Sequence, residues 1–191
     1  MLTIQTLIDY IIRSYTKQRL WMLFGGMILF IFLFGITGVF MGVGQPIGDS
    51  STTITILDVL INYTEAEAYQ QLEAYGETGR QVCLFSTLVL DSLFPLTFGS
   101  FFALLLAFLF KNTAYRIVIL LPLVAVICDY IENTHIALLL IKYPEHLPTL
   151  VASANVFTLT KWITLGLVMM WISIGFFIKN RRYLEKHGSN F

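Results

Sequence analysis

The sequence predicts an all-α membrane protein, a four-transmembrane-helix bundle with an amphipathic N-terminal helix and one extracytoplasmic loop helix. Three observations carry this expectation. The chain has 191 residues, of which 57% are hydrophobic and only 13% charged; soluble domains average about 45–50% and about 25%. Apolar runs at roughly 20–43, 82–110, 117–141 and 150–178 are each long enough to cross ~30 Å of hydrocarbon at ~1.5 Å per residue. Basic residues also alternate in density between the connecting segments, as the positive-inside rule requires. The whole chain, 1–191, reads as one integral membrane domain.

The first element is amphipathic. Ile4, Leu7, Ile8, Ile11, Ile12 and Tyr15 recur at helical spacing, which suits a helix lying along the inner membrane surface. The first span follows. Its apolar length exceeds the ~7–15 residues of a signal-peptide core, so it is expected as an uncleaved span. Its Gly38-Val39-Phe40-Met41-Gly42 is a GxxxG pattern, which suits close packing within the bundle or a homo-oligomer.

The segment 44–81 is the one sizeable polar part. It opens with GQPIGDSSTT, a linker composition. Leu57, Leu60, Ile61, Ala68, Leu72 and Tyr75 then fall on one helical stripe, predicting a helix from about Leu57 to Tyr75 over the mouth of the bundle. Glu65, Glu67, Glu73 and Glu77 read as its solvated face. Asn62-Tyr63-Thr64 is a glycosylation sequon.

Orientation comes from the cations. Arg13, Lys17, Arg19, Lys111, Arg116, Lys179, Arg181, Arg182 and Lys186 fall on one side, and only Arg80 and Lys142 on the other. Both termini are therefore expected in the cytoplasm. Trp21, Tyr115 and Tyr143 stand where interfacial aromatics belong.

The chemistry is concentrated in the spans. The stretch ICDYIENTHIALLL carries Asp129, Glu132, Asn133 and His135. Steps of ~100° place Asp129, Glu132 and Asn133 on one face and His135 on its flank. Counted from the outer ends, Asp91, Asp129, Glu132 and Lys161 all lie at depths of about 14–20 Å. Three helices thus contribute to one polar layer near the bilayer middle. Thr87 shares the Asp91 face, and Thr158 the Lys161 face. Pro95 stands four residues after Asp91 and leaves the Asp91 carbonyl without its helical donor. Three carboxylates and one ammonium leave a surplus of negative charge that low dielectric does not tolerate. Protons or a bound cation must neutralise it, and the groups must face the bundle interior.

Other chemistries lack support. The two cysteines, Cys83 and Cys128, form no CxxC and read as small buried residues. Glu132 to His135 is a single ExxH, whereas di-iron bundles need two plus further carboxylates. The three histidines, His135, His146 and His187, cannot converge for a zinc site under this topology, so no metal site is assigned. Phosphate-loop and dinucleotide fingerprints are absent, and no cofactor is implied. No basic stripe with interleaved aromatics favours nucleic acid. In layout, with acids placed inside the spans of a short helical bundle, the chain resembles the sterol-isomerase and sigma-2-receptor group. That resemblance implies an amine or sterol ligand and carries no residue assignments.

The leading expectation is a binding or transport function. Asp91, Asp129, Glu132, Asn133 and Lys161, flanked by His135, Thr87 and Thr158, would hold a proton, a cation or an amine-bearing small molecule. The alternatives are a membrane enzyme using carboxylate acid–base chemistry on a lipid or isoprenoid, and a non-catalytic subunit of a membrane complex.

Overall fold

The computed structural model describes residues 3–48 and 51–187. The side chains of Arg182, Lys186 and His187, and Asp49 and Ser50 of the loop linker, lie outside that description. Four helices are long and apolar enough to cross a membrane, Lys17–Met41, Gly76–Phe110, Arg116–Lys142 and Pro148–Arg181. No strand occurs among the described residues.

Helix α1, Ile4–Ser14, starts at Thr3, whose side chain accepts from the Thr6 N–H. It does more than coat a surface. Ile8 is buried against Leu106, Phe110 and Ile119, and Asp9 pairs with Arg116. Helix α2, Lys17–Met41, is capped by Thr16 and stopped by Gly42 in the left-handed region, φ 75°. Only 6% of its most apolar window is buried, so it lies at the edge of the bundle with most of its apolar surface exposed.

The loop departs from the expected single helix. Gly44 and Gln45 pair with Ile54 in a fold-back, Gly44 N–H to Ile54 O and Ile54 N–H to Gln45 O, both 2.8 Å. A short 3₁₀ turn, Leu57–Val59, follows, and helix α3 spans only Glu65–Ala74. The break has two local causes. Asn62 adopts φ 61°, incompatible with a right-handed helix. Thr64 and Glu67 form a reciprocal capping box that starts a new helix. Gln71 and Tyr75 bind α3 to the fold-back, the Tyr75 hydroxyl donating to the Thr55 carbonyl at 2.6 Å. Burial and the apolar surroundings raise the pKa of the Tyr75 hydroxyl.

Helix α4, Gly76–Phe110, contains a π-helical turn at Ser86–Leu90, directly before Asp91. One extra residue in a turn rotates everything after it by ~100°, and π turns recur at functional sites. Helix α5, Arg116–Lys142, begins as a 3₁₀ turn and presents a fully buried face of Pro122, Ala125, Asp129, Glu132 and Asn133. Helix α6, Pro148–His187, packs along α5 through Val151, Ala154, Thr158, Lys161 and Val168, all buried.

Candidate functional site

Lys161 is the hub of a buried cluster. Its ammonium lies 2.6 Å from Glu132 Oε2 and 3.0 Å from Asp129 Oδ1, both on α5. It also pairs with Asp58 of the 3₁₀ turn in the loop. Glu132 is 0% exposed, Lys161 3% and Asp129 4%. A lysine so deep is sustained only by such company. The second Glu132 oxygen accepts from the Thr158 hydroxyl at 2.6 Å. The indole N–H of Trp162 donates to the Asp58 carbonyl at 3.1 Å, fixing the turn from a second direction.

Asn133 bridges to α4. Its amide nitrogen lies 3.4 Å from Asp129 Oδ2 and 3.4 Å from the Asp91 carbonyl, the carbonyl that Pro95 leaves without a helical donor. The Asp91 carboxylate makes no ion pair or hydrogen bond among the described residues. It opens instead into a cavity of about 310 Å³. Asp58, Asp129 and Lys161 line the polar end of that cavity. Phe34, Phe94, Phe98, Phe102 and Trp162 supply the aromatic part of its wall, and Met27, Ile31, Ile136 and Leu165 are among the aliphatic residues beside them. Phe34, Phe94 and Phe98 touch in sequence, with ring centres 5.3 Å apart at each step. The cavity lies between α2 and α6, which both line it but do not form a packed pair.

The other sequence candidates fall as follows. Thr87 is buried and lines the cavity. His135 does not; its Nδ1 lies 2.6 Å from the Ile131 carbonyl on its own helix, and its ring packs near Phe157. Asp58 was not anticipated. Its signal was present, since it is the one acid within Ile56-Leu57-Asp58-Val59-Leu60, an apolar run inside an otherwise polar loop. Beside the cluster, Tyr63 is buried near Thr158, and burial pushes its hydroxyl pKa up to about 12.

Asp58, Asp129 and Glu132 offer oxygens that lie within 4.8 Å of one another, a spacing a metal ion could use. The Lys161 ammonium already contacts all three and occupies the place such an ion would take. Cys83 and Cys128 are free and buried. Three carboxylates contact the one ammonium and Asp91 lines the adjoining cavity, a larger negative surplus than the spans alone implied.

Fold and site define a helical bundle compatible with an integral membrane location and carrying a buried carboxylate–lysine cluster beside an aromatic cavity. No protein-family model, curated protein or solved structure matches the chain.

Proposed function

We propose that this integral membrane protein, with both termini in the cytoplasm, binds a small amphiphile that joins an apolar body to a protonated amine. The observation that carries the reading is the Asp91 carboxylate, facing an aromatic cavity with no cation of its own. An ammonium placed there gains a charge-assisted hydrogen bond. It also gains the faces of Phe94 and Phe98, and it offsets part of the surplus negative charge. The volume, about 310 Å³, is at the small end for ligand sites and would hold about ten waters at ~30 Å³ each. The gap between α2 and α6 offers entry from the lipid side. The Asp58 turn covers the polar end and so separates it from the loop side.

A fluorescent long-chain alkylamine and the alcohol of equal length provide the test, titrated into the purified protein in detergent. The amine is expected to bind more tightly than the alcohol. Asp91→Asn is expected to weaken the amine by about 10–100-fold, the value of one charged hydrogen bond, and to leave the alcohol unaffected. Equal binding of the two probes, or an Asp91→Asn protein with unaltered affinity, would remove the reading. Asp91 and Asp129 both line the cavity, which also suits proton transfer on a bound lipid or isoprenoid. Turnover of an isoprenoid alcohol, abolished by Asp91→Asn, would favour that enzyme reading over simple binding.

A further inference from the structure

A second pocket, of about 220 Å³, lies at the termini-bearing end of the bundle, between the close of α4, the turn after it and α6. Its polar lining is Lys111, Asn112, Thr113 and Lys179, and no carboxylate lines it. Neither lysine makes an ion pair among the described residues. Two other cations at this end are matched, Arg116 with Asp9 and Arg181 with Glu185, whereas Arg13, Lys17 and Arg19 make no ion pair among the described residues and do not line the pocket. Lys179 is also held in place, its ammonium 3.2 Å from the centre of the Phe108 ring. Two ammoniums are therefore gathered on one concave surface with nothing to balance them. The Asn112 amide, without a hydrogen bond among the described residues, adds neutral donors beside them.

We infer that this pocket takes the phosphate of an anionic phospholipid headgroup. Lysine binds phosphate as a point charge, and two of them match a phosphodiester with its oxygens exposed. The level is right, because Lys111 directly follows the apolar helix Gly76–Phe110 and Lys179 lies near the end of Pro148–Arg181. Basic pockets between helices at that level are the sites where anionic headgroups settle. A lipid is favoured over free phosphate by the rest of the wall. Phe108, Leu109 and Ile178 line the pocket, and exposed Phe177 continues the apolar surface along α6, where acyl chains can lie. This site is separate from the Asp91 cavity and does not depend on what that cavity binds.

The test is native mass spectrometry of the full-length protein, with dioleoylphosphatidylglycerol or dioleoylphosphatidylcholine added to the detergent. The anionic lipid is expected to be retained in preference. Lys111→Gln and Lys179→Gln are each expected to lower its retention roughly fivefold, and Lys179→Arg to preserve it. Arg181→Gln, whose side chain already has a partner, is expected to have little effect. Four outcomes overturn the proposal. These are equal retention of the two lipids, unchanged retention in both single glutamine variants, an equal loss in Arg181→Gln, and protection against heat by inorganic phosphate that matches that by the lipid. Both lysines are exposed, so the single substitutions are expected to leave the fold intact.

Discussion

Asn133 donates to the Asp91 carbonyl across 3.4 Å, and so supplies from α5 the donor that Pro95 removes from α4. A side chain on one helix thereby completes the backbone of another. Asn133→Leu is expected to leave that carbonyl unsatisfied in an apolar setting. The cost is about 1–3 kcal/mol, read as a lowered unfolding temperature in detergent. Pro95→Ala restores an N–H at the same place, and in that background the Asn133→Leu penalty is expected to shrink. An undiminished penalty in the double variant would refute the bridging role.

Lys161→Met removes the cation from three carboxylates and keeps the volume. Breaking a buried pair from one side costs about 3–5 kcal/mol. Adding Glu132→Leu to Lys161→Met is expected to recover part of the loss, because one uncompensated acid goes with it. A thermodynamic cycle over the two positions measures the coupling, and additivity would mean that the 2.6 Å contact contributes nothing.

Asp58→Asn is expected to loosen the loop without unfolding the helices. Trp162 would still donate to the backbone at position 58, but the link to Lys161 would lose its charge. Limited proteolysis should then cut between Leu57 and Thr64 faster than in the parent, with the melting of the helical signal only slightly shifted. Unchanged cleavage would show that the turn is held by its apolar contacts, chiefly buried Leu57.

Glu67 sets a pH dependence at the start of α3. The backbone N–H of Thr64, and then its hydroxyl, hydrogen-bond the carboxylate and lower its pKa. A lowered carboxylate stabilises the fold above its ordinary value of about 4.3, and that contribution fades as pH falls through the lowered value. Amide protection in Glu65–Ala74 is expected to drop below about pH 4 in the parent. Glu67→Gln keeps an N3 cap and should remove the drop.

Gly99 packs against Val126 so closely that an added Cβ would overlap it. A β-branched side chain yields little, and Gly99→Ala is expected to cost about 1–3 kcal/mol by prising α4 from α5. At Gly25 and Gly35 on α2 an added Cβ meets nothing. Alanine at either is expected to leave the monomer's stability intact, so a change in oligomeric state on size-exclusion chromatography would report a contact between copies through this span.

The long helices were legible because hydrocarbon imposes a length and a composition that few other environments demand. The buried face of α5 was legible for a related reason. A regular ~100° step sorts Asp129, Glu132 and Asn133 from His135, and a straight helix preserves that arithmetic over two turns. The Asp91 carbonyl could be read from the chemistry of proline alone, though the donor that fills its vacancy could not. The loop resisted the same treatment. A 3.6-residue stripe through Leu57 and Leu60 suggested helix, while the capping box at Thr64 and Glu67 said that a helix begins later. The stripe marks a buried face, and only the box fixes where the helix starts. Asp58 was missed because its partner is fixed by tertiary docking, and depth counting considers only residues inside the spans.

Asp58 and Lys161 stand 103 positions apart, with two complete apolar helices between them. Their contact cannot form until the last helix has been made and docked on the others. A nascent chain that stops short of α6 holds Asp129, Glu132 and Asp58 without their shared cation. The finished chain gives all three their one shared cation in a single step, when Lys161 arrives. The pair therefore ties the loop to the last helix and makes the pairing of these acids depend on the whole bundle being in place.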